Sequence, residues 1–208
     1  HLKLFGYHWD ECGYEAGQEM FCEMNDRFLV TARRFLKSDE GQVEDFYYQF
    51  REQKKGVAMV HSITGHNGFT LRDLVSYDVK HNEANGEKNL DGTEYNYSWN
   101  CGAEGPSRKK EVREKRSSQE RNAFLMLMLG MASPRILSGD EFGNTQKGNN
   151  NAYCQDNAIT WLDWSLLEKN KELFSYVKKL IEFRRNHPLY QSRRYLTGMD
   201  SEGLGAPD

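Results

Sequence analysis

A chain that carries an ordered polar loop as long as residues 78–108 must be a scaffold built to display loops. That stretch is rich in Asn, Gly and Glu, yet it holds Tyr95, Tyr97 and Trp99. Structureless segments of this length inside a compact domain are functional or disordered, and the aromatics argue for order. A second long loop, Asn144 to Asn157, precedes Ile159-Thr160-Trp161-Leu162. Between the loops, short apolar runs alternate with helical ones. Leu2 to Gly6 and the β-branched-rich Val57 to Thr64 read as buried strands, and Ile136-Leu137 begin another that stops at Gly139. Asp26 to Leu36 places Phe28, Ala32, Phe35 and Leu36 on one helical stripe, with Asn25 or Asp26 as its N-cap. Glu111 to Met131 is charged at first and apolar later, as in a helix docked on a sheet, and Pro134 ends it. Leu173 to Arg185 carries Tyr176, Leu180 and Phe183 on one face. Alternating strands and helices, with the unusual loops after strand C-terminal ends, predict an α/β parallel sheet whose working face is made of βα-loops. Pattern alone stops at half a barrel and reaches no substrate.

Composition excludes more than it assigns. With 28 Lys+Arg against 31 Asp+Glu the formal net charge is −3, so no basic excess argues for nucleic acid. No run of about 18 apolar residues argues for a membrane span. Arg108-Lys109-Lys110 and Arg113 to Arg116, mixed with Glu111 and Glu114, read as a solvated helix start. Cys12, Cys22, Cys101 and Cys154 form no CxxC pair, and free thiols in a reducing cytosol fit them. The chain opens at His1 directly into a strand-like run and trails off in Gly198 to Asp208, so both ends read as truncations. The expected division is 1–197 as barrel and 198–208 as the start of a linker.

Four segments point further. They are Gly65-His66-Asn67-Gly68-Phe69-Thr70-Leu71, Lys80-His81-Asn82-Glu83-Ala84-Asn85-Gly86-Glu87, Gly139-Asp140-Glu141-Phe142-Gly143, and Gly148-Asn149-Asn150-Asn151-Ala152-Tyr153-Cys154-Gln155-Asp156. Together and in this order they resemble the isoamylase-type glycogen-debranching enzymes of the α-amylase superfamily, from about Leu2 to about Thr197. The resemblance implies the C-terminal half of a (β/α)8 TIM barrel, strands five to eight. It also implies hydrolysis of α-1,6 branch points in glycogen or limit dextrin, with no cofactor or metal.

Retaining glycosidases use two carboxyl groups about 5 Å apart, one as nucleophile and one as acid/base. The family adds a third that stabilises the transition state. Leu2 to Asp10 matches the fifth-strand segment with Trp9 and Asp10 in place, but the general acid maps onto Tyr7. A phenol is a poor proton donor to a leaving oxygen. His66-Asn67 matches the seventh-strand pair, where Asn67 brings no charge against an oxocarbenium ion. The nucleophile segment maps upstream of His1. Asp10, Glu11 and Glu23 are the nearby carboxylates that could substitute. Arg135 stands where the family has an apolar residue, and its charge is expected to face the barrel bottom or to reflect relaxed packing.

Sugar contacts remain open to this chain. His66 is the polar candidate, and Trp9, Asp10, Phe69 and Tyr153 are the further substrate-binding candidates. Tyr95, Tyr97 and Trp99 have packing as the alternative role, as does Phe69. Asn82, Asn85 and Asn149 to Asn151 suit either hydroxyl contacts or turns. His61 reads as a packed structural histidine, and His81 as either. The expected partner is α-glucan, with turnover impaired; the rivals are a non-catalytic glucan-binding protein and a gene fragment. An isolated half barrel with open sheet edges is expected to self-associate.

Overall fold

The computed structural model describes residues 4–7, 21–53, 57–191, 198–200 and 203–206. Four parallel strands form one sheet in the order β1 (Leu4–Gly6), β2 (Phe21–Met24), β3 (Ala58–His61) and β4 (Ser133–Pro134). The helices are α1 (Asp26–Leu36), α2 (Gln42–Arg51), α3 (Leu71–Leu74), α4 (Lys110–Leu129), α5 (Ser165–Lys169), α6 (Lys171–Asn186) and α7 (Pro188–Gln191). From β2 onward helices separate the strands, α1 and α2 before β3 and α3 and α4 before β4, in keeping with the expected α/β parallel sheet. β2 and α2 were not foreseen.

Asn25 starts α1 as expected. Its side chain accepts from Phe28 N at 3.0 Å, while its own N–H extends the sheet ladder to Val60 O at 2.9 Å. One residue thus ends β2 and begins α1. The last strand lies earlier than Ile136-Leu137. Ser133 and Pro134 pair with Val60 and His61, and Arg135 N–H closes the ladder on His61 O at 2.8 Å. Pro134 is tolerated because β4 stands at the sheet edge among the described residues. α4 also stops sooner, at Leu129, where Gly130 passes so near His61 that a Cβ would lie 3.3 Å from its Nδ1.

Side chains alternate across the sheet. His61 and Met59 face the helices, and His61 stacks on Phe28 with ring centroids 3.8 Å apart. The main core joins Phe28 and Ala32 of α1 to Phe124 and Leu127 of α4 and Val177 of α6. Cys22, Met24 and Val60 cluster separately on the opposite sheet face. Two arginines, one half-buried and one buried, lock the polar ends. Arg184 donates to the carbonyls of Met128, Gly130 and Ala132 at 2.6–2.7 Å, completing the end of α4. Arg116 corrects the expectation of a solvated helix start. It is buried and donates to the carbonyls of Gly105, Asn100 and Ala103, binding the 100–105 loop to α4.

His61 is the packed histidine its sequence position suggested. It is fully buried, and burial, then the Arg184 charge, drives its pKa down to about 3. Below pH 6.5 an unfolded chain takes a proton that the folded ring refuses, so stability present above pH 6.5 is lost as pH falls. Urea titrations should show His61→Gln less stable than wild type at pH 7 but losing less between pH 7 and 5. The difference in slope should approach about 1.4 kcal/mol per pH unit; identical slopes would contradict a neutral buried His61.

Candidate functional site

The loop between β3 and α3 presents His66 and Asn67 to solvent, and three hydrogen bonds hold it. The buried Asp140 carboxylate takes both ends of the loop. Its Oδ2 accepts from Thr64 Oγ1 and its Oδ1 from Leu71 N at 2.9 Å. In the middle, Gly68 N donates to Asn150 O at 2.9 Å, with Gly68 at φ +99°. Thr70 caps α3 by accepting from Asp73 N at 3.2 Å. α3 is tied at each step: Arg72 Nε meets Glu120 Oε1 at 2.7 Å, and Asp73 accepts from Thr145 Oγ1 and from Gln146 N at 2.7 Å. Burial raises the Asp140 pKa to about 7 against the pull of those hydrogen bonds. The same burial lowers the neighbouring Arg33 to about 10, with Asp140 opposing the fall.

The two long loops are ordered by each other. Asn82 and Asn150 exchange hydrogen bonds, Nδ2 to Oδ1 at 2.8 Å and N to Oδ1 at 2.9 Å. Asn150 Nδ2 reaches Thr93 O at 2.7 Å and Asn96 Oδ1 at 2.9 Å. Asn85 and Asn151 both donate to Asp91 Oδ2, and Asn149 donates to Asn85. Asn82, Asn149 and Asn150 are buried, so their amides serve the loops rather than a ligand. His81 likewise holds the lattice, with its N–H on Gly148 O at 2.7 Å and Nε2 3.1 Å from Glu104 Oε1.

The candidate residues separate clearly. Tyr7 follows β1 and is exposed; His66 and Asn67 follow β3, at the same C-terminal edge of the parallel sheet. Tyr153 stands in the Ala152–Cys154 turn, 87% exposed. Phe69 is fully buried beside Tyr77, and its ring packs the core instead of meeting a sugar. Trp9, Asp10 and Glu11 lie outside the described residues. Glu23 pairs with Met59 on the helix side of the sheet, away from the Arg135 face. Trp99 is half-buried under Lys115, and Tyr95 stacks edge-on to Tyr97. Arg135 is not at the bottom. It follows β4 at the strand ends, and its guanidinium reaches Ser62 Oγ at 3.3 Å and lies against Gly65. Sequence reasoning missed Asp140 as an anchor, because an acidic pair between glycines is also an ordinary turn. Among the described residues no group of three His, Cys, Asp or Glu could hold a metal ion.

No family profile matches the chain. The glycogen operon protein GlgX homolog of Mycobacterium tuberculosis is 40% identical over 209 residues, covering 95% of this chain and 29% of that protein. The glycogen debranching enzyme of Klebsiella pneumoniae is 42% identical over 206 residues, covering 93% and 31%. Among solved structures, the pullulanase of Bacillus acidopullulyticus superposes with a TM-score of 0.59 at 18% identity, over 81% of this chain and 19% of that one. Pullulanase type I of Bacillus subtilis, complexed with maltose, gives 0.58 at 20% identity, over 82% and 23%. The structural likeness establishes a shared α/β fold with a parallel sheet. The chain spans under a third of the length of the relatives it matches.

Two variants probe this architecture. The folded Asp140 keeps a proton that the unfolded chain has released, so its contribution is complete below about pH 3.8 and is lost as pH rises through about 7. Asp140→Asn should be less stable at every pH in urea titrations. It should also lack up to about 1.4 kcal/mol per pH unit of that decline; an unchanged slope would show an ionised carboxyl throughout. Gly92 sits at φ +73°, where a Cβ would collide with Asn150 Oδ1 and lie 2.8 Å from Asn82 Nδ2. Gly92→Ala should cost more than about 1 kcal/mol and speed amide exchange across both long loops, with α1 and α6 unaffected.

Proposed function

We propose that this chain, a relative of bacterial glycogen-debranching proteins over nearly all its residues, is the strand-five-to-eight portion of an isoamylase-type barrel that engages α-glucan at its strand C-terminal ends. The 40% identity to the GlgX homolog across 95% of the chain carries the reading. In it, β1 to β4 are strands five to eight, residues 1–197 belong to the barrel and 198–208 begin a linker. The work is placed in the cytoplasm, in keeping with the free thiols of Cys101 and Cys154. No described helix is long and apolar enough to cross a membrane.

His66 is the group that hydrogen-bonds a sugar hydroxyl, with Trp9, Asp10 and exposed Tyr153 as flanking contacts. Tyr7 occupies the general-acid position and Asn67 that of the transition-state carboxylate. Removing a positioned acid costs about 10² to 10⁴ in rate, and one electrostatic stabiliser about 10² to 10³. Hydrolysis of α-1,6 branches is therefore the ancestral chemistry of the site, and turnover by this chain is strongly impaired.

A glucan-binding role without turnover is the second reading. Its support is that the loop carrying His66 keeps all three anchors, at Thr64, Gly68 and Leu71, while the neighbouring acid positions hold uncharged side chains. The sheet edges at β1 and β4 also suit self-association, and size-exclusion chromatography should show a species larger than 24.2 kDa. Electrophoresis in glycogen-containing gels and reducing-end release from limit dextrin test both readings. Wild type is expected to be retarded without measurable release, and Tyr7→Glu with Asn67→Asp to gain release if a nucleophile is supplied in the same polypeptide. Neither retardation nor release would overturn both.

A further inference from the structure

Arg135 is the interior arginine whose donors the fold leaves largely unused. The others have carbonyl or carboxylate partners. Arg33 donates to Ile63 O and Asn96 O, Arg116 and Arg184 each serve at least three carbonyls, and Arg72 is paired with Glu120. Arg135 follows β4 where Ser133 pairs with Val60 and Pro134 with His61, so it stands level with Ser62 on the face opposite the helices. Its side chain is half-buried; among the described residues it makes one hydrogen bond, to Ser62 Oγ at 3.3 Å, and no carboxylate forms an ion pair with it. The Nη2 atom lies 2.9 Å from where a Cβ on Gly65 would stand, so the missing side chain admits the guanidinium beneath the loop. The next two residues are the exposed His66 and Asn67. A half-buried cation whose donors are largely unused among the described residues, beside exposed His66 and Asn67, neither of which can carry negative charge, favours an anion. A guanidinium fork matches a phosphate oxygen pair better than sugar hydroxyls.

We propose that the α-glucan taken by this site carries a phosphate monoester, bound by the Arg135 guanidinium at the root of the His66–Asn67 loop. The inference rests on the glucan reading above and adds the charge of the ligand. Calorimetry on the 208-residue chain, comparing maltohexaose with maltohexaose 6-phosphate, tests it. The phosphorylated form should bind on the order of tenfold tighter or more, the worth of a charge-assisted hydrogen bond. The preference should shrink in salt, vanish in Arg135→Met and survive in part in Arg135→Lys. Equal affinities in wild type would overturn the inference and leave glucan binding standing. Binding of neither sugar would overturn glucan binding itself. A preference kept by Arg135→Met would remove Arg135 from the site, and inorganic phosphate binding as tightly as the phosphorylated sugar would assign the site to the free anion. Should Arg135→Met not fold, the wild-type comparison and the lysine variant still decide.

Discussion

The Asp140 carboxylate, closed over the two ends of the His66–Asn67 loop, is the interaction on which the working face depends. A buried carboxylate is costly unless hydrogen bonds replace the water it loses. Here the replacements come from Thr64 Oγ1 and Leu71 N, the residues that bound the loop. The desolvation is not fully offset, and burial holds the carboxyl's pKa well above the usual carboxylate range. The loop is thus held by a group that is itself held only while both loop ends stay in place. Asn150, from the same segment after β4, adds the central anchor at Gly68 and then passes the constraint to Asn82 and Asn96. Order spreads from the β4 exit into loops that have almost no regular structure of their own.

That hierarchy explains which parts of the molecule were legible in the sequence. α1 could be read because its stripe and its cap are local: Asn25 and Phe28 lie three residues apart. The long loops could be recognised as ordered, since aromatics inside a polar stretch have no other use. Their asparagines could not be divided between sugar contacts and scaffold, because the partners of Asn82 and Asn150 lie 68 residues apart. Phe69 was ambiguous for the same reason, and only the core around Tyr77 shows that its ring is spent on packing. β4 was misplaced because Ile136-Leu137 have the stronger strand propensity, whereas pairing with β3 selects Ser133 and Pro134. Arg116 looked like surface charge, and its burial depends on loop carbonyls that no window around it contains.

The positions proposed for the site differ from the scaffold in their environment. Tyr7, His66 and Asn67 are exposed, and no described hydrogen bond of the fold runs through their side chains. Substitution at such exposed positions is expected to disturb the fold little. Asp140, Thr64, Gly68 and Asn150 behave oppositely: each is part of a hydrogen bond that shapes the face, and none reacts. Fold and chemistry are therefore separable on this face, which is the general condition under which one scaffold carries different activities.

Arg135 sits between these two classes. Its backbone N–H completes the β3–β4 ladder, as any residue would, while its guanidinium reaches Ser62 Oγ and lies against Gly65. A partly buried cation is unfavourable unless paired, and the other arginines of the interior show what this fold does when a guanidinium has a structural task. Arg184 gathers three carbonyls at the end of α4. Arg135 gathers none. Among the described residues nothing neutralises this charge beside the exposed strand-end loop, and that is the observation on which the proposed anion contact rests.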